Sequence, residues 1–206
     1  MRSGIYSSGM IATYNNNDIV LFKTNIGHSG EFFDKILENR DWDLPVSILM
    51  SDALPSKEPT GREVVWSLCN VHCRRQFTDI QVQFPEGCEY VVGQYDKIFL
   101  IERETKNMTP DDRLNHYKVH SEPLFSEMVN WIRDGLESRL IEPDSNLGVA
   151  ANYLLKHEAG LRKFLEVPGA KLDNNFMERV LKLVVLGRKN YYFLRQKPAL
   201  PLLTLS

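Results

Sequence analysis

Two runs rich in β-branched, aliphatic and aromatic residues open the chain, "GMIATY" (9–14) and "DIVLFKT" (18–24). Asn15, Asn16, Asn17 and Asp18 lie between them and tolerate left-handed turn geometry, so the pattern predicts a hairpin. In "SGEFFDKILENR" the apolar residues Phe32, Phe33, Ile36 and Leu37 recur at helical spacing and Ser29 can cap, which predicts a helix. The short apolar run "VSILM" after Pro45 predicts a buried strand that ends in Ser51-Asp52. "REVVWSL" reads as a short helix and "CNVHC" as another strand.

The period changes after Arg74. "EYVVGQYDKIFLIERETKN", "SEPLFSEMVNWIRDGLESRL" and "SNLGVAANYLLKHEAGLRKFLEV" each predict a helix. Leu124, Met128, Trp131, Ile132 and Leu136 form one stripe; Leu147, Ala151, Leu154, Leu161 and Leu165 form another. Pro123, close behind Ser121, marks a helix start. A last helix is predicted in "KLDNNFMERVLKLVVLGRKNYYF", capped by Asn174 or Asn175 and with Glu178 in or just after its first turn. Apolar residues cover much of its circumference, so it is expected to be largely buried and to end through Gly187-Arg188-Lys189-Asn190. The resulting class is α/β, a β-rich part over 5–73 followed by a helical block over 74–167. The last helix and its exit span 168–194, and an irregular tail spans 195–206.

Composition narrows the function classes. The chain has 206 residues, 43% hydrophobic and 25% charged, enough for one domain or one domain with an insertion. Its net charge of -2 means that affinity for nucleic acid must come from a local basic surface. The cysteines Cys69, Cys73 and Cys88 are too few for a disulfide framework and favour a reducing, cytoplasmic setting. No stretch approaches a membrane span and no secretory apolar block is present, so no membrane partner is expected.

Two acids carry candidate chemistry. Asp52 follows the carboxyl end of a predicted strand, where open α/β sheets place ligands, although Asp also suits a turn or cap. Glu178 sits where the helix dipole favours an acid, but on a buried helix it needs a partner, a metal or water. Arg179 and Lys182 are candidate partners. Together the two carboxylates could share Mg²⁺, which prefers hard oxygen ligands and takes one or two protein carboxylates. A pair of such ions activates a nucleophile and stabilises a leaving oxygen in phosphodiester chemistry.

Basic residues gather after Glu178: Arg179, Lys182, Arg188, Lys189, Arg195 and Lys197, interleaved with Tyr191, Tyr192 and Phe193. That mixture suits a nucleic-acid surface, or equally a solvated edge with core aromatics. Arg74-Arg75 beside His72 form a second small cluster. Zinc through Cys69, His72 and Cys73 lacks a fourth ligand at a usual spacing, so these cysteines read better as buried strand residues. His116 and His120, between Pro110 and Pro123, read as surface residues. No Gly-rich phosphate loop, nucleophile elbow or Cys-x-x-Cys motif is present.

Several ordered motifs carry a family resemblance. "LDNNFMERVLKLVVLGRKNYYF" resembles the signature Asp-Asn-Asn-x-x-Glu-Arg … Arg-Lys-Asn-x-x-Phe of bacterial transposases of the insertion sequence sixty-six family. "CNVHCRRQFTDI" resembles its Cys-x-x-His-x-Arg-Arg-x-Phe box, and "SDAL" its second acidic box. "LFKTNIGHSGEFFDKIL" and "EPDSNLGVAANYLLKHEAGLRKFLEVPGA" are similar to the segments before the second acid and before the glutamate. The resemblance spans about residues 5–194.

It implies a ribonuclease-H-like catalytic domain in which three acids (DDE) hold two Mg²⁺ or Mn²⁺ ions to cut and rejoin DNA strands. A helical insertion lies between the second acid and the glutamate. Asp52 matches the second acid and Glu178 the third. His72, Arg74, Arg75, Asn174, Asn175, Arg179, Arg188, Lys189 and Asn190 match positions expected near DNA, at transposon ends or target, or supporting the site. The family's first acid has no match: "MRSGIYSSG" contains no Asp or Glu, and Asp18 sits at the hairpin turn. "LRQKPALPLLTLS" departs from the family's further helix, and Glu158 stands where the family has Trp after His157.

The expectation is an incomplete ribonuclease-H-like domain lacking its first strand, binding metal weakly and inactive unless another chain or an oligomer completes it. The alternatives are a non-catalytic DNA-binding remnant and a helical interaction protein.

Overall fold

The computed structural model describes residues 6–14, 17–25, 29–53 and 61–190, with side chains over 9–14, 17–22, 33–53 and 61–182. The chain is mixed α/β and divides into two units, residues 1–26 with 175–206, and residues 27–174.

In the first unit, β1 (Tyr6–Tyr14) and β2 (Asn17–Asn25) form the expected hairpin, antiparallel with Tyr14 opposite Asn17. Its Asn15-Asn16 turn lies outside the described residues. Thr13 Oγ1 donates to Asp18 Oδ1 at 2.5 Å beside that turn, so Asp18 serves the hairpin end. Helix α7 (Asn175–Asn190) packs on β1: a side chain at Gly9 would collide with Met177 and Leu181. Two expectations for α7 change. Its backbone continues through Arg188-Lys189-Asn190 rather than leaving the helix there, because no proline or C-cap turn interrupts the period. Phe176 is 41% exposed, and Met177, Val180 and Leu181 are half-buried, so this part of the helix is not fully enclosed.

The second unit begins with α1 (Ser29–Glu38), whose Phe33 and Leu37 are buried as the spacing required. Strands β3 (Ser47–Ser51) and β4 (Val64–Leu68) pair in parallel, Ser47 opposite Val64 and Ser51 opposite Leu68. Of β3 only Ser51 is buried, and the apolar residues before it are half-buried. Arg62 fastens the approach to β4 onto α1: its guanidinium donates to the Leu37 and Arg40 carbonyls at 2.8 and 2.7 Å and lies over the Trp42 ring. The Leu37 carbonyl also accepts from Arg40 N at 3.1 Å, so the turn that ends α1 and Arg62 share it.

"REVVWSL" is therefore a strand and "CNVHC" opens a helix, the reverse of the expectation. Val64, Val65 and Trp66 suit a pleated surface and have no capping residue before them. Helix α2 (Asn70–Thr78) buries Asn70, Cys73 and Phe77, a helical stripe visible only when the segment is read past Cys73. The cysteines are core residues, but not strand ones: Cys69 follows β4 at the N-cap of α2, and Cys73 lies inside α2.

Helices α3 (Pro85–Glu104), α4 (Pro110–Glu137), α5 (Asn146–Leu161) and α6 (Lys163–Glu166) follow. Helix α4 starts at Pro110, capped by Thr109 Oγ1, which accepts from Asp112 N at 3.2 Å, and it runs straight through Pro123. Pro123 is exposed, so solvent can take the carbonyl that its missing N–H leaves unpaired. His116 and His120 thus share one helix face, with ring centroids 4.4 Å apart. The predicted third helix breaks at Arg162 into α5 and α6, but its stripe is buried in full from Leu147 to Leu165. Tyr95, Phe125, Met128, Ile132, Leu154 and Phe164 centre the core where α3, α4, α5 and α6 meet. Among the described residues no helix is long and apolar enough to cross a membrane.

Gly148 admits α5 against the preceding turn, since a Cβ there would overlap the Glu142 and Pro143 backbone. Gly148→Ala is expected to lower stability by about 1–3 kcal/mol, read as a reduced urea midpoint, while Val149→Ala on the exposed face leaves the midpoint nearly unchanged.

Candidate functional site

The parallel pair directs both strands to one end. Asp52 is the first residue after β3, and Cys69 the first after β4. Cys69 N donates to Ser51 O at 2.9 Å, extending the ladder to the point where Asp52 leaves it. Ser51 Oγ donates to the Asp52 carbonyl at 2.7 Å, and Ser51 itself is buried. Asp52 is half-buried. Tyr153 of α5 lies within reach of its charge: burial first, then Cys73 and Asp52, push the Tyr153 phenol up.

Asn70 is the residue on which this end is built. It is fully buried, and its carboxamide Nδ2 donates to Leu161 O at 3.1 Å and to Leu172 O at 3.3 Å. Its own N–H donates to Leu172 O at 3.1 Å, and Tyr95 Oη donates to its Oδ1 at 3.3 Å. One side chain thereby ties the start of α2 to α3, to the end of α5 and to the segment that carries Asp173-Asn174. Backbone N–H groups of Asn174, His72 and Val71 face the Cys69 sulfur, and Asp173 is close enough to be felt there. Burial nonetheless pushes the Cys69 thiol up and holds the Cys73 thiol near 12, so both stay protonated at neutral pH.

A second polar group backs the same segment. Tyr117 of α4 donates a short hydrogen bond to Glu102 of α3, and Thr105 Oγ1 lies 3.3 Å from the Tyr117 hydroxyl. Burial pushes the Glu102 carboxyl up, opposed by Tyr117 and by the charge of Arg113; Asp173 adds a smaller upward push and Lys171 a downward one. The charge of Asp173 is therefore felt both at the Cys69 thiol and at the Glu102 carboxyl.

The expected site residues fall in different places. Asp52, His72, Arg74, Arg75 and Asn174 belong to the second unit, whereas Asn175, Glu178, Arg179, Arg188, Lys189 and Asn190 belong to the first. Within the second unit, His72 is half-buried on α2 and Arg75 is exposed. Arg74 binds Asp96 of α3, its Nε and Nη2 at 3.1 and 2.8 Å from one carboxylate oxygen. Asn174 is half-buried. Within the first unit, Asn175 opens α7, Glu178 is half-buried in its first turn, and Arg179 is exposed. The side chains of Arg188, Lys189 and Asn190 lie outside those described.

Sequence reading gave no role to Asn70 or Tyr153, and met Asp173 only as the first residue of the Asp-Asn-Asn signature. Asn70 carried one usable signal, a polar residue on the apolar side of the Cys73-Phe77 stripe. Among the described residues, no three of His, Cys, Asp and Glu stand together as a metal cluster. The Asp52 carboxylate is a hard oxygen donor of the kind that Mg²⁺ or Mn²⁺ takes.

Comparison with known proteins gives one family. The family model described as "Transposase IS66 family" matches residues 7–200. Two uncharacterized proteins of Sinorhizobium fredii are similar. The protein y4hP is 29% identical over 72% of this chain and 28% of its own length. The protein y4jD is 33% identical over 62% of this chain and 25% of its own length. The chain thus spans about a quarter of the length of these curated relatives. No solved structure matches it.

Asn70→Ala strands the Leu161 and Leu172 carbonyls and the Tyr95 hydroxyl. It is expected to cost about 2–4 kcal/mol, measured by denaturant unfolding, with faster amide exchange around Leu172. A carboxyl whose folded value is raised contributes stability at low pH that is lost as pH rises through that value. Glu102→Gln is therefore expected to match the wild type below pH 4.5 and to be the more stable at pH 8, in paired melting curves.

Proposed function

Since this chain belongs to the Transposase IS66 family, we propose that it acts in DNA transposition as part of a ribonuclease-H-like domain that cuts and rejoins DNA strands. Asp52 and Glu178 are its metal-binding acids in this reading. The observation that carries it is the position of Asp52, half-buried at the shared end of a parallel strand pair, beside Tyr153 and the Cys69-Asn70 turn. Open α/β sheets bind ligands at that end. The Asp52 oxygens suit Mg²⁺ or Mn²⁺, and Glu178 is proposed as the other metal-binding carboxylate. When bound, such ions supply activation of the attacking oxygen and stabilisation of the leaving oxygen in phosphodiester transfer.

The chain's own residues hold and orient. Asn70 fixes the turn after β4 and the Leu172 segment, so Asp52 and Asp173 keep constant surroundings. Arg75, exposed on α2, and Arg179, exposed on α7, supply cations for DNA phosphates, with Arg188 and Lys189 further along that helix and the Asn190 amide after them. Arg74 shares its charge with Asp96 and holds α2 against α3. His72, Asn174 and Asn175 line the approach. No residue among the 206 is assigned as the first acid, and a complementing transposase chain is the proposed source. Alone, the chain is expected to bind metal and DNA without joining strands.

The test is metal-linked stability. Mn²⁺ at ten times its Kd should raise the melting temperature by about 3–6 °C, and Asp52→Ala and Glu178→Ala should each abolish the shift. A full shift retained in both variants would end the assignment of these acids.

A further inference from the structure

A groove of about 570 Å³ begins at Ala53, the residue after Asp52. Its floor is the β4 surface around Val65 and Trp66, and its wall is the α5–α6 segment with Lys156, His157 and Lys163. The size lies inside the range of roughly 300–1,000 Å³ that small organic ligands occupy. Among the described residues, the ionisable ones lining it are Lys156, His157 and Lys163, all of basic type. Lys156 is exposed. Lys163 Nζ lies 2.6 Å from Glu166 Oε2 on its own helix, with 30% and 44% of the side chains accessible, a surface pair that an incoming anion can exchange. Burial, and then the charge of Lys156, hold the His157 imidazole below its ordinary value, so the ring is neutral at pH 7 and offers a face rather than a charge. It stands 4.6 Å from the Tyr153 ring, one turn back along α5, and the Tyr153 phenol feels Asp52. From Asp52 the surface therefore runs through Tyr153 and His157 to an apolar trough with two lysines on its wall.

That order of groups matches the chemistry of a nucleotide: a flat apolar base and a phosphate on either side of it. Aromatic faces hold bases by stacking, and lysines hold the backbone. We propose that the groove is a subsite for one unpaired nucleotide of a DNA strand, its base lodged between Trp66 and His157 and its flanking phosphates on Lys156 and Lys163. The subsite lies next to Asp52, so it would hold the strand beside the position where the proposed chemistry occurs. The inference rests on the transposase reading, and it gives a role to Trp66, Lys156, His157 and Lys163, to which that reading assigns none. An acidic peptide could meet the same lysines, but it would not require a flat stacking face.

The test uses the whole chain in EDTA, with a fluorescent single-stranded oligonucleotide, the same strand carrying abasic positions, and a duplex. The wild type should bind the normal strand more tightly than the abasic one. Lys156→Ala with Lys163→Ala should weaken single-strand binding about tenfold and flatten the log–log salt slope by about 1.4, two phosphates at 0.7 each. Ala159→Phe, at an exposed position on the groove wall, should weaken binding of the normal strand and leave the abasic strand unaffected.

An unchanged affinity and slope in the double-lysine variant, with a wild-type melting curve, would overturn the subsite. Equal binding of normal and abasic strands would do the same, as would an acidic peptide that binds through these lysines while the strand does not. Arg75→Ala separates the two readings. If it weakens duplex binding while the groove variants do nothing, the groove is wrong and the transposase reading stands. If no DNA binds at all, both fall.

Discussion

The carboxamide of Asn70 is the contact on which the rest of the second unit depends. An amide side chain with no exposure must satisfy its donors and its acceptor inside the protein, and this one does so by joining distant parts of the chain. Leu161 and Leu172, reached by its Nδ2, lie 91 and 102 residues away in sequence, and Tyr95 closes the other side. The β4–α2 turn, the end of α5 and the approach to Asp173 are consequently fixed together. Apolar packing among α3, α4, α5 and α6 supplies most of the driving force for the fold, but it is non-directional. Asn70 supplies direction at the end where the strands point.

That direction matters because β3 and β4 are parallel and finish together. Asp52, the Cys69-Asn70 turn and the Leu172-Asp173 segment converge through short backbone links rather than through long flexible side chains. A helical block with a dense core then backs the arrangement: Glu102 and Tyr117 stand behind Asp173, and Tyr153 stands beside Asp52. The large helical part is thus more than a spacer between two acidic motifs, since it provides the walls of the strand-end region and the cationic side of the groove next to it.

Much of this was legible from residues. The hairpin, α1, the strand that ends just before Asp52 and the core-facing stripes of α4 and α5 follow from local periodicity, which tertiary contacts reinforce. The errors occurred where local pattern and long-range packing compete. "REVVWSL" contains enough apolar residues for either period, and its parallel partner β3 decides for a strand. "CNVHC" is too short to show that Asn70, Cys73 and Phe77 share a helix face. Pro123 resembled a boundary because the exposed face on which it lies cannot be seen in sequence. Of the site, the acids and the basic cluster were visible as residue types in ordered motifs. Asn70 and Tyr153 were not, because their importance lies in partners far along the chain. Arg74 showed the converse: a cation that looked available for phosphate is engaged by Asp96.

The central proposal is that Asp52 and Glu178 are metal-binding acids of the strand-transfer reaction. The most direct measurement is a crystal structure of the protein with Mn²⁺ and a DNA end, read by anomalous scattering. The account predicts manganese in contact with carboxylate oxygens of both residues. Manganese bound elsewhere, with either carboxylate bare, would contradict it.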